Sequence, residues 1–164
     1  MKRFLFSLIL VLMLMLLPVF PVLAATSDNV LVTATPSYIS ITNAPVTFDF
    51  ALVSENGTPN TTTGWFTVTN SSTVNVTASI SCNGWSGTSS WTYGAKAADT
   101  GQLKASDNDG VYDVTVPNGT TAALHTTTTA GANIQWELQL ECPSSFSHGY
   151  EQTTTVTISV AAAG

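Results

Sequence analysis

The sequence predicts an all-β chain: an immunoglobulin-like antiparallel β-sandwich of about 8–10 strands tied by one disulfide. Three observations carry that prediction. Apolar and polar residues alternate with period two through almost every segment beyond the N-terminal apolar run, and no stretch of that region shows a helical period. Gly, Pro, Asn and Asp clusters punctuate the alternation at short intervals. Two cysteines, Cys82 and Cys142, each continue the apolar side of a long alternating run.

The elements follow in chain order. Val30, Val32 and Ala34 open a strand that Pro36 stops, and Tyr38, Ile39 and Ile41 follow before Pro45. Val46, Phe48, Phe50 and Leu52 alternate with Thr47, Asp49 and Ala51 and predict a third strand. Residues 55–63 are polar, with Gly57 and Pro59, and predict a loop. Gly64 to Asn70 is a strand turned by Asn70-Ser71-Ser72, and Val74, Val76, Ala78, Ile80 and Cys82 mark the next. After a Gly-rich loop come short strands at Trp91–Tyr93 and Gln102–Ala105. Asp107-Asn108-Asp109-Gly110 predicts a hairpin turn into Val111–Val116, because Asp-Gly suits the positive φ of such turns. Thr121–Thr129, Ala132–Cys142 and Thr153–Val160 complete the set. The outward positions are mostly Thr, Ser and Asn, which fit a pleated surface facing water.

The N-terminus has the three parts of a secretory signal. Lys2 and Arg3 precede an apolar run from Phe4 to Leu17, and Pro18 and Pro21 lead to Val22-Leu23-Ala24. Residues 1–24 are therefore expected to be a cleaved signal peptide, and residues 25–164 a single exported domain, free or held at a cell surface. The apolar run is too short before Pro18 to span a bilayer comfortably, so no membrane insertion is expected after cleavage. Beyond it the only cations are Lys96 and Lys104, set against all 10 Asp and Glu of the chain. Such a chain cannot neutralise a run of phosphates, so nucleic acid is excluded as a partner.

In an exported chain a pair of cysteines predicts a bridge. Cys82 and Cys142 lie at strand ends on the core-facing phase, and closing the loop between them would contribute about 4 kcal/mol in the chain-entropy model. No Cys-x-x-Cys or nearby His cluster suggests a redox or metal role.

A set of segments in order carries a resemblance. These are Val32-Thr33-Ala34-Thr35-Pro36-Ser37-Tyr38-Ile39-Ser40-Ile41, Phe66-Thr67-Val68-Thr69-Asn70-Ser71-Ser72-Thr73-Val74, Trp85-Ser86-Gly87 with Trp91-Thr92, and Gly101-Gln102-Leu103-Lys104-Ala105. Trp136-Glu137-Leu138-Gln139-Leu140 and Pro143-Ser144-Ser145-Phe146-Ser147-His148-Gly149 complete it. Together they resemble a group of uncharacterised secreted β-sandwich proteins encoded in environmental bacterial genomes. The chain departs from that pattern at Glu137, where the group has Gly, and at His148, where it has Asp. The resemblance implies a secreted β-sandwich and implies no activity.

Candidate sites are few. His125 and His148 are the two histidines, and Gly84-Trp85-Ser86-Gly87 falls one residue short of a nucleophile elbow. Glu137 and Glu141 sit on the outward phase of one strand, four residues and roughly 13 Å apart, which fits neither glycosidase geometry. The chain is therefore expected to be no enzyme and to need no cofactor. Asp107 and Asp109 are calcium candidates, although the turn chemistry of Asp-Gly accounts for them as well. Trp85, Trp91 and Tyr93 lie in or beside a Gly/Ser-rich loop and are candidates for stacking on a sugar or another flat ligand, with a core position as the competing account for Trp91 and Tyr93. Asn56, Asn60, Asn70, Asn75 and Asn118 fit the glycosylation sequon and are expected to be exposed.

Two functions remain. The first is a secreted, non-enzymatic structural or interaction domain that self-associates through edge strands, the segment before Pro36 being the best candidate for exchange. The second is an extracellular carbohydrate-binding module using the loop aromatics.

Overall fold

The computed structural model describes residues 33–34, 36–62, 64–107 and 110–164. The expected signal segment 1–24 and the expected first-strand residues Val30 and Val32 lie outside the described residues. The chain divides into Met1–Thr35 and Pro36–Gly164, and the fold is that of the second unit.

Period-two alternation becomes nine strands, and no helix occurs among the described residues: β1 (Ile41–Ala44), β2 (Phe66–Asn70), β3 (Val76–Cys82), β4 (Thr92–Tyr93), β5 (Thr100–Ser106), β6 (Val114–Thr115), β7 (Ala122–Thr128), β8 (Ile134–Glu141) and β9 (Val156–Ala162). They form two packed sheets. The larger has the order β1-β2-β8-β5-β4, with β6 also on β5, and the smaller has the order β7-β3-β9. The inward residues of β3 (Val76, Ala78, Ile80, Cys82) meet Val68, Leu103, Ala105, Trp136, Leu138 and Leu140 of the larger sheet in one buried core. Phe66 and Trp136 stack with centroids 4.3 Å apart, and the Trp136 indole N–H donates to Asn43 Oδ1 at 3.0 Å.

The immunoglobulin-like expectation is corrected by the topology. In an immunoglobulin sandwich the last strand lies beside the second-cysteine strand. Here the last strand, β9, pairs antiparallel along the whole of β3, from Val76↔Ala162 to Cys82↔Val156. The pairing is also not wholly antiparallel, because β4 runs parallel to the start of β5.

The disulfide is corrected too. Cys82 and Cys142 are both buried and both free thiols. Both lie on the core-facing phase of their runs, but each thiol meets its own surroundings. Cys82 lies on the smaller sheet and helps to push the Tyr93 phenol up. Cys142 follows β8 and sits under residue 57, whose carbonyl accepts from the Cys142 N–H at 2.9 Å. Burial pushes the Cys142 thiol up from its ordinary value.

Four local expectations also change. Residues 57–61, expected as a loop, lie along β8 in the place that β2 leaves empty: Thr61 N–H donates to Leu138 O, Leu140 N–H to Pro59 O, and Cys142 N–H to Gly57 O. This segment and the Tyr112 hydroxyl cover Glu137, which is 1% exposed rather than outward in water. Its carboxylate accepts from the Gly64 N–H at 3.1 Å and from Tyr112 at 2.9 Å. The tight Asp-Gly hairpin becomes a longer connection, since β5 ends at Ser106 and β6 begins at Val114. Asn70 is buried, not exposed: its side chain caps the β2–β3 turn by accepting from the Ser72 N–H and donating to Thr129 O.

Candidate functional site

One long side of the sandwich is left open. The expected strand Val46–Leu52 does not form. The segment leaves β1 at a cis Ala44–Pro45 peptide, and residues 46–50 make no backbone hydrogen bond with another described residue. Phe48 and Phe50 turn inward and pack edge-to-face on each other (4.9 Å), and Phe48 packs likewise on Trp65 (5.3 Å). Val46 and Leu52 point to water at 86% and 102% exposure. Alternation alone made these residues look like a strand, but a strand needs a partner edge.

Across from this segment run residues 148–156, which lead into β9, and among the described residues β9 pairs with β3 alone. Its inward residues Val156, Ile158 and Val160 are half-buried, whereas the corresponding residues of β3 are fully buried. Between the 45–53 segment and residues 148–156 lies a cleft of about 970 Å³, with Phe66, Trp136, Leu138 and Leu140 among the residues of its floor. Val46, Leu52 and Tyr150 put exposed apolar surface on its rim. Exposed apolar side chains are gathered here at an apolar opening instead of being scattered singly over the surface.

The predicted aromatic trio comes together at one end of this cleft. Trp85 and Trp91 line it, with centroids 5.5 Å apart, and Trp91 stacks on Phe146 at 5.3 Å, nearly coplanar. Phe146 is the residue that sequence reasoning missed; it sits in a loop without period, and only the stack on Trp91 reveals it. The trio is spent on packing. The Trp85 indole N–H donates to Gly101 O at 2.8 Å, and all three rings are half-buried against the core. Tyr93 is a strut: its hydroxyl donates to Val116 O at 2.7 Å and accepts from the Leu103 N–H at 3.0 Å. Burial, reinforced by Cys82, pushes its phenol far above the ordinary value, so it stays neutral.

The loop carrying Phe146 is held from below. Asp99, with φ +48°, accepts from the Ser147 N–H at 2.7 Å and from its hydroxyl. Those bonds hold the Asp99 carboxyl below its ordinary value. Of the calcium candidates, Asp107 faces His125 Nδ1 at 3.3 Å, and Asp109 lies outside the described residues. Among the described residues no three His, Cys, Asp or Glu side chains converge. Nor is any helix among them long and apolar enough to cross a membrane.

Comparison with known protein families and with curated proteins returns no match. The functional reading therefore rests on the geometry of the cleft.

Proposed function

We propose that the protein is a secreted, non-enzymatic structural domain that assembles with copies of itself at the cell surface. The open side of the sandwich carries this reading: an unpaired edge strand, a segment without backbone partners and an apolar cleft lie together there. An edge strand offers free N–H and C=O groups to another chain, and the cleft adds apolar area for it to bury. The secretory signal read in residues 1–24 and the low charge of the chain support the same reading. Size-exclusion chromatography with light scattering, over a concentration series of the exported protein, is the test. Mass rising with concentration supports assembly, and a constant monomer mass at every concentration removes it.

The second reading, a carbohydrate-binding module, draws on Trp85 and Trp91 at the end of the cleft. It has less support, because the Trp91 ring is already stacked on Phe146 and the Trp85 N–H is already used. A glycan array with Trp85→Ala as control tests it; retention lost in the variant would favour it.

A further inference from the structure

We infer that the segment Thr26–Thr35 of a second copy adds as a strand along β9 and reaches the cleft at Val156. The inference rests on the self-assembly reading and specifies its partner surface and direction.

The receiving side has the shape of a sandwich lacking one strand. Among the described residues β9 has no partner on its outer edge, and its inward Val156, Ile158 and Val160 are only half-covered. Opposite, residues 46–50 leave their backbone without described partners. A single extended chain along β9 would pair with the free edge, cover Ile158 and Val160, and meet the cleft at Val156, as in strand addition between proteins.

The entering segment has a matching pattern. Val30, Val32 and Ala34 alternate with Leu31, Thr33 and Thr35, the same period as Val156, Ile158 and Val160. Ten residues extend about 33 Å, against about 23 Å for the seven of β9, which leaves length for a connection. Pro36 then ends the pattern, since it lacks an N–H for a ladder.

Direction selects a second copy over the same chain. Pro36 O accepts from Thr73 Oγ1 in the β2–β3 turn, and the Ala163 N–H just after β9 donates to Asn75 O. The chain thus enters the domain at the pole where β9 ends. A segment reaching Pro36 from its own cleft would lie parallel to β9. One coming from the cleft of a copy stacked beyond this pole lies antiparallel to that copy's β9, the slightly more stable pairing. Each copy then gives a strand at one pole and receives one along its side. Such a head-to-tail contact is heterologous, and copies related by a rotation that does not close a ring build a linear chain.

The test uses exported wild-type protein, the Val32→Asp variant, and a synthetic peptide spanning Thr26–Pro36. Wild type is expected to grow into linear chains seen by light scattering and electron microscopy. Val32→Asp is expected to keep the wild-type circular dichroism spectrum and stay at monomer mass. It should bind the wild-type peptide saturably, and a peptide carrying the same Val32→Asp change at least about tenfold more weakly. If wild type assembles and Val32→Asp assembles equally, or if neither peptide binds, strand exchange is wrong while self-assembly stands. If wild type stays monomeric and Val32→Asp lowers its melting temperature, the segment fills its own cleft, and both proposals fall. Wild type that stays monomeric with no such change also removes both.

Discussion

Tyr93 shows how one side chain read as a ligand candidate serves the frame. Its hydroxyl bridges the Leu103 N–H and Val116 O, joining β5 to the residue after β6. Tyr93→Phe leaves both groups without that partner, and an unsatisfied buried group costs about 1–3 kcal/mol. A lower midpoint in thermal or urea unfolding is the expected result. The cysteines make a second prediction at this scale. Denatured in the absence of reductant, the protein should show both thiols reactive toward a disulfide reagent. In the native state both should be slow, because both are buried and burial keeps the Cys142 thiol protonated. The strand phase of each cysteine was legible from its alternating run. Whether they met was not, because that depends on where two different sheets place them.

At the scale of elements, β5 and β8 are tied across their outer face by Lys104 and Glu141 at 2.9 Å, with Gln102 also donating to Glu141. Burial pushes the Glu141 carboxyl up, but the Lys104 and Gln102 hydrogen bonds and the charge of Lys96 outweigh it and hold it below its ordinary value. A depressed carboxyl stabilises the fold above its unfolded value, and that contribution is lost as pH falls through the folded value. Lys104→Met should therefore cost about 0.2–1 kcal/mol at neutral pH, the range of a partly exposed ion pair. The two proteins should converge in urea stability as the pH drops below the depressed value. The Asp99–Ser147 clamp obeys the same sign. Amide exchange at Ser147 should stay slow down to pH values below the ordinary aspartate range, and should speed up at all pH in Asp99→Ala. Among the elements, β2, β3, β5, β8 and β9 were legible because each buries one alternating face. The 57–61 segment was not. Its side chains are polar and broken by Gly57 and Pro59, and its order comes from backbone bonds to β8 that no side-chain pattern records.

For the whole molecule, the proposed assembly through the open side makes a prediction about behaviour in solution. The proposed contact is apolar and main-chain in character; Asp49 and Glu151 line the cleft and Asp28 lies in the entering segment, with no Lys or Arg among them, so no ion pair there is lost to screening. Assembly should therefore change little as salt rises from low to physiological strength, where an ionic contact would weaken through screening. Light scattering at fixed protein concentration across a salt series checks this, and a steep loss of mass with salt would contradict an apolar seam. Sulfate should strengthen the contact, since it is excluded from protein surface and favours burial.

The sequence by itself determined the all-β class, most of the strands and the inward phase of their residues. Period-two alternation is a local property, and it survives any arrangement of the sheets. The tertiary structure decided what that pattern met. It put β9 beside β3, kept Cys82 and Cys142 apart, buried Glu137 under residues 57–61 and Tyr112, and left Val46–Leu52 without a described strand to pair with. Pairing is a relation between distant segments, fixed by the packing of two sheets on one core.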